Sequence, residues 1–201
     1  MAKKSTRNTR GRIVSAAWKL FYEQGYEDTT VEEIIELSGT SKGSFYHYFD
    51  GKDALLSTLS SLFDEKYEEL TGLLTPEMTA MEQLLFLNRE LFHMIEDSIS
   101  LDLLARLYST QLTTNGEKHL LDHNRIYYKL LRKIIAKGQA EGQLSSRSNV
   151  NEMVKLYALC ERALLYDWCL CAGEYGPARY AAARVMLASA RVARGLNPTA
   201  R

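Results

Sequence analysis

The sequence predicts an all-α chain, and three observations carry that expectation. Only 3 prolines and 12 glycines punctuate its 201 residues, while Ala, Leu, Glu, Lys and Arg, all good helix formers, are common. Apolar residues recur at i, i+3, i+4 and i+7, the period of one helix face. Breaking residues then divide the chain into pieces of helical length. The composition, 46% hydrophobic and 25% charged, is that of an ordinary globular protein, with room for one large domain or two unequal ones.

Ile13, Ala16, Ala17, Leu20 and Phe21 mark the apolar face of a first helix, which Gly25 ends. In "EDTTVEEIIELSG", Thr30 and Glu33 form a capping box, and Val31, Ile34, Ile35 and Leu37 supply the stripe of a second helix closed by Gly39. Ser41 caps a third, with Phe45 and Phe49 on the same face. Asp50, Gly51 and Lys52 break the pattern, and Asp50 is placed to cap a fourth helix through "KDALLSTLSSLFDEKYEELTGLL". The second and third helices meet in a tight Gly-Thr turn, the helix-turn-helix arrangement. Longer helices follow at 78–96, 100–112, 118–139, 149–173 and 177–194. The expectation is about nine helices: a three-helix helix-turn-helix domain over residues 1–50 and a larger helical domain over 51–201.

With 25 basic and 25 acidic residues the net charge is zero, so overall charge is no argument for nucleic acid. Its distribution is more informative. Residues 1–12 hold Lys3, Lys4, Arg7, Arg10 and Arg12 and no acid, which reads either as a solvated tail or as an arm reaching for phosphates. There is no signal-peptide core and no apolar run near the ~18 residues of a membrane span. Cys160, Cys169 and Cys171 are odd in number and share one segment, which suits a reducing cytoplasm. A cytoplasmic location without membrane contact is the expectation.

The stretch "TSKGSFYHYFDGKDALL" carries the sharpest signal. At 100° per residue, Phe45 and Phe49 turn inward. Gly43, Ser44, Tyr46 and His47 then face away, with Lys42 at the N-terminus and Tyr48 on the flank. Such an outward face suits a helix in the DNA major groove. Tyrosine hydroxyls and lysine reach phosphates, glycine permits close approach, and serine and histidine reach base edges. The helix starts at Thr30 and Ser41 add backbone N–H donors for phosphates, and Lys52 is placed to clamp the same strand. The competing reading is that these rings merely cap a small helical core.

"IVSAAWKLFYEQGYE" followed by "TTVEEIIELSGTSKGSFYHYFDGKDALL" closely resembles the DNA-binding region of the TetR family of transcriptional regulators. The resemblance covers roughly the first quarter of the chain; beyond it only the architecture matches. It implies a homodimeric repressor whose N-terminal domain docks in an operator duplex while the larger domain binds a small-molecule effector and dimerises. It places Lys42, Gly43, Ser44 and His47 near bases, and Thr30, Tyr46, Tyr48 and Lys52 at phosphates. Glu32 departs from the pattern, being acidic where a base-reading arginine can occur; it could accept from a cytosine amino group or keep clear of the backbone.

In the larger domain, Phe63, Tyr67, Phe92, His93, Tyr108, Tyr127, Glu161 and Trp168 are the candidate effector contacts, with Tyr128, Tyr157 and Tyr166 among the same aromatic set. Glu161 interrupts the apolar "LYALCERALLYDWCLC". An exposed position on the helix's open side is the expected placement. The alternative is a partly buried carboxylate held by Arg162, Arg89, Arg106 or a cationic ligand. "HLLDH" sets His119, Asp122 and His123 at chelating helical spacing, though a solvated face is the expectation and no native metal is assigned. In the last helix Ala178, Ala181, Ala182, Val185, Ala188, Ser189 and Val192 line a face of mostly small residues. This suits pairing of two copies through their last two helices in a four-helix bundle. No phosphate-cradling glycine loop, nucleophile elbow or HExxH helix is present, so neither enzyme activity nor a cofactor is expected. The rival from another class is a helical sensor or scaffold that acts through a protein partner without binding DNA.

Overall fold

A computed structural model describes residues 2–113 and 118–177, with side chains described from Thr9 onward. Every regular element among the described residues is helical. None of these helices is long and apolar enough to cross a membrane.

Helix α1 (Ala2–Glu23) begins within the basic stretch, so its backbone is helical there; the side chains of Lys3, Lys4 and Arg7 lie outside the described residues. Ile13, Ala16, Ala17 and Phe21 are buried, as their spacing requires. Gly25 then turns the chain at φ 92°, a left-handed conformation that costs a residue with a Cβ about 1–2 kcal/mol. Helix α2 (Val31–Ser38) starts with the expected capping box: the Glu33 amide donates to Thr30 Oγ1 at 3.2 Å, and the Thr30 amide donates to Glu33 Oε2 at 2.7 Å. These bonds hold the Glu33 carboxyl below its usual range. Gly39, left-handed at φ 59°, opens the turn to α3 (Lys42–Tyr48), where Ser41 Oγ caps the Ser44 amide at 3.1 Å.

The expected fourth helix is two helices. Gly51, not Asp50, is the N-cap residue of α4 (Lys52–Leu56), and it makes no side-chain cap. The helix stops because side chains compete for its carbonyls: Ser57 Oγ donates to Ala54 O at 2.7 Å and Thr58 Oγ1 to Leu55 O at 2.6 Å. Thr58 also accepts the Trp18 indole N–H at 2.8 Å, which fixes the bend against α1. Helix α5 (Leu59–Thr71) resumes beyond it.

The chain forms two compact units, Met1–Leu62 with Ser98–Leu120, and Phe63–Asp97 with the residues from Leu121 onward. The first unit includes α7 (Leu101–Thr113), which packs on α4. In the second unit are the greater part of α5, most of α6 (Ala80–Ser98), α8 (Ile126–Ala140) and α9 (Val150–Leu170). Helices α8 and α9 pack together, and Gly138 of α8 sits so close to its neighbours that a Cβ would lie 2.5 Å from that of Ala80. Asn149 and Glu152 form a second capping box at the start of α9, where the sequence placed a helix start. The predicted helix over 118–139 is shorter: residues His119–Leu121 form a single 3-10 turn before α8 begins. The expected last helix at 177–194 and its small-residue face lie outside the described residues from 178 on.

Candidate nucleic-acid interface and buried polar cluster

Two sets of predicted residues converge in space, one in each unit. The first is built on α3. Phe45 and Phe49 are 0% and 4% exposed and pack ring to ring at 5.9 Å, so they anchor the helix on α1 and α2. Burying each ring contributes roughly 1.5–3 kcal/mol, enough to fix the rotation of a helix this short. That rotation leaves Ser41, Lys42, Gly43, Tyr46 and His47 exposed, with Ser44 and Tyr48 half-buried. Tyr46 is 46% exposed, which rules out the alternative that its ring caps the core. The His47 and Tyr48 rings meet edge to face at 4.8 Å. Thr30 is exposed at the start of α2. Arg10 extends this cationic surface, its guanidinium 5.5 Å from the Phe49 ring centre. Arg12 is also exposed, beside the Gly39 turn.

Two charged residues on this unit behave differently from expectation. Glu32, the departure from the family pattern, lies 3.7 Å from Lys42, both side chains well exposed. An exposed pair of this kind is worth little, so either partner is available to another contact. Lys52 does not extend from the surface as a clamp. Its ammonium donates to the carbonyls of Tyr26, Thr29 and Glu27 at 2.6, 2.8 and 3.2 Å and lies 4.3 Å from the Tyr26 ring centre. Three carbonyls match the three N–H donors of an ammonium, and the α1–α2 loop supplies all of them. Sequence distance hid this role, because the carbonyls lie more than twenty residues upstream. The same loop is held from α7: Arg106 pairs with Glu27 and, at 2.8 Å, with Asp102. Tyr26 donates to Asp53, and burial with that carboxylate pushes the phenol well above its ordinary pKa.

The second set lies within α5, α6, α8 and α9. Of the expected effector contacts, Phe63, Tyr67, Phe92, Tyr127, Glu161 and Trp168 are all buried. Two are not part of the group: His93 is exposed and lies 3.5 Å from Glu96, and Tyr108 belongs to the other unit. Glu161 overturns its expected exposed placement. It is 5% exposed; of the arginines proposed from sequence, Arg162 acts on it through its charge. Asn88 Nδ2 donates to its carboxylate at 2.6 Å, and the Tyr127 hydroxyl donates to the other oxygen. Arg89 instead pairs with Glu90, and Arg162 donates to the Tyr128 hydroxyl at 3.1 Å. Burial raises the Glu161 pKa; hydrogen bonds from Tyr127 and Asn88 and the charge of Arg162 offset it in part, while the Tyr157 hydroxyl donates to the Leu84 carbonyl at 2.9 Å. Burial likewise pushes the phenols of Tyr67, Tyr127 and Tyr157 well above their usual range.

Asn88 was missed in the sequence, although a signal was there. It stands at a core position of α6 between Leu84, Leu87, Leu91 and Phe92, all buried, where a polar side chain needs a dedicated partner. Nearby, Arg125 donates to both oxygens of Asp64 at 3.0 Å, a half-buried fork that ties α5 to the start of α8. The "HLLDH" spacing does not survive folding. His119 lies in the 3-10 turn, Asp122 accepts the Asn124 amide, and His123 stacks on Tyr128 at 4.6 Å. No group of three or more metal-ligating side chains occurs among the described residues. Cys160, Cys169 and Cys171 are free thiols.

Residues 13–59 match the family model of bacterial regulatory proteins, tetR family. An uncharacterised helix-turn-helix transcriptional regulator of Lactococcus lactis is 39% identical over 56 residues, which is 27% of this chain and 29% of that protein. The chain thus spans under a third of the length of the first such relatives. Among solved structures, Thermus thermophilus FadR, a TetR-family repressor in complex with lauroyl-CoA, has a TM-score of 0.72 at 24% identity, covering 89% of this chain and 93% of its own. RolR in complex with resorcinol has a TM-score of 0.68 at 18% identity, covering 92% of this chain and 89% of its own. At these identities the likeness is one of fold, and it extends over both units.

Proposed function

We propose that this chain, whose residues 13–59 match the tetR family model, is a transcriptional regulator of that family that binds a near-palindromic operator as a homodimer and is released by a small-molecule effector. The observation that carries the reading is the orientation of α3: its phenylalanines are buried, and Lys42, Gly43, Tyr46 and His47 are left on the open surface. In this reading Lys42, Gly43, Ser44 and His47 face base edges. Thr30, Ser41, Tyr46 and Tyr48 face phosphates, and Arg10 and Arg12 add charge. Lys52 serves the interface indirectly, by holding the loop that leads into α2. The functional division places DNA reading in the first three helices and effector binding with dimerisation in the remainder.

Several features support the rest of the reading. Leu156, Leu159, Tyr166 and Leu170 form an apolar stripe on α9 that is exposed among the described residues. It favours a second copy docking through the last two helices. Two α3 helices would then enter successive major grooves about 34 Å apart. The buried cluster around Glu161 is the effector site favoured here. An effector that binds one state better than the other shifts the pair away from the groove spacing, by no more than its difference in affinity. Location in the cytoplasm and the absence of catalysis follow from the same reading.

The test is selection of bound sequences from random duplex DNA, followed by titration at several salt concentrations. A palindromic consensus and an affinity that falls steeply with salt are expected. A protein that retains no duplex at low salt acts instead through a protein partner.

A further inference from the structure

The buried cluster of the second unit has an imbalance of charge and of hydrogen bonds. Asn88 is 0% exposed and Tyr67 2% exposed, yet Asn88 Oδ1 and the Tyr67 hydroxyl have no hydrogen-bond partner among the described residues. Both belong to the surroundings of Glu161: Asn88 bonds its carboxylate, and Tyr67 packs at 5.0 Å on Tyr127, which bonds it too. Leaving a buried polar atom unsatisfied costs about 1–3 kcal/mol, so two in one place call for an explanation. All the groups that bond Glu161 are neutral donors. Of the nearby cations, Arg125 is paired with Asp64, and Arg162 acts on Glu161 through its charge while donating to the Tyr128 hydroxyl.

We propose that this cluster receives an organic ammonium, a protonated amine on an apolar body, whose N–H groups donate to the Glu161 carboxylate, to Asn88 Oδ1 and to the Tyr67 hydroxyl oxygen. The inference rests on the reading of this unit as effector-binding and names the class of effector. Three acceptors match the three donors of a primary ammonium. The charge compensates a carboxylate that burial penalises. The rings of Tyr67 and Tyr127, packed at 5.0 Å in the same cluster, are of the kind that attracts a cation. An anion would meet Glu161 with like charge, and a neutral alcohol would bring it no opposing charge. Because Asn88 and Glu161 are closed to solvent, entry requires α5, α6, α8 and α9 to part, so the ligand binds an altered state preferentially.

The charge state gives a pH signature. Facing Glu161 are Tyr67 from α5, Asn88 from α6, Tyr127 and Tyr128 from α8, and Tyr157, Cys160 and Arg162 from α9, with the Asp64–Arg125 pair beside them. Burial keeps Tyr67, Tyr127, Tyr157 and the Cys160 thiol neutral. Glu161, raised in the free protein, is held ionised by the ammonium, so binding releases a proton and tightens as pH rises.

The experiment is calorimetric titration of the full chain with phenethylammonium, phenethyl alcohol and phenylacetate, three probes sharing one apolar body. The ammonium is expected to bind about ten-fold or more tighter than the other two, and Glu161→Gln to remove about ten-fold or more of that affinity. Affinity should rise as pH climbs through the raised Glu161 pKa in the parent chain and stay level in the variant. Tyr67→Phe removes a hydroxyl that has no partner among the described residues, so it tests the site even if Glu161→Gln does not fold; a several-fold loss is expected. Equal or tighter binding of the alcohol or carboxylate, no ammonium binding, or unchanged affinity in Tyr67→Phe overturns the inference. If the ammonium fails while the chain still selects an operator, only the ligand class falls. Ammonium binding without any duplex binding refutes the regulator reading and leaves the site intact.

Discussion

Two aromatic-rich regions of this molecule solve opposite problems. On α3 the rings divide by side: Phe45 and Phe49 are sealed, while Tyr46 and His47 stay in solvent. Around Glu161 the rings of Tyr67, Tyr127 and Tyr157 are inside, and the Tyr127 hydroxyl bonds the buried carboxylate. The first region keeps its polar tips free for a partner that arrives from outside. The second hides them, so each must be matched within the fold or by something the fold takes in. The same residue type therefore means surface recognition in one unit and interior chemistry in the other, and burial is what tells them apart.

The largest expected effect is Phe45→Ala. Truncating a fully buried ring should cost about 3–5 kcal/mol of stability in urea denaturation and abolish duplex binding with it. Next comes Lys52→Met, which deprives three loop carbonyls of their donor. A loss of roughly 1.5–3 kcal/mol is expected, with no change in which DNA sequence is preferred; altered preference with unchanged stability would restore Lys52 to the interface. Thr30→Ala, which opens the capping box of α2, should cost about 1 kcal/mol and weaken binding to all sequences similarly. Smallest in stability are Lys42→Ala and His47→Ala, expected within about 0.5 kcal/mol of the parent because both side chains are exposed. Their effect should be on sequence preference, and preference untouched in both would undo the base-contact assignment.

The second region is sharpened by pH. Glu161 has its pKa raised on folding, so the folded state binds its proton more tightly than the unfolded chain does. Its contribution is fully favourable below the unfolded value of about 4.5 and is lost as pH rises through the folded value. In urea titrations the parent chain should lose stability relative to Glu161→Gln across that window. A parallel pH dependence in the two would show that the carboxylate is not desolvated as described.

What could be read from the sequence was short-range. The Thr30–Glu33 box, the Ser41 cap, the left-handed Gly39 and the inward Phe45–Phe49 pair all lie within a few residues of their partners, so spacing alone specifies them. The outward face of α3 follows from the same arithmetic. Even here a local competitor was overlooked, since Ser57 and Thr58 take carbonyls from the helix and divide it. Tertiary structure decided everything whose partner is distant. Lys52 finds its carbonyls 23 or more positions away, and Glu161 finds Tyr127 at 34 and Asn88 at 73. Periodicity places a residue on a helix face but is silent on which other helix that face will meet. A buried carboxylate and a solvated one are written with the same letter, and only the packing of α5, α6, α8 and α9 makes Glu161 the former.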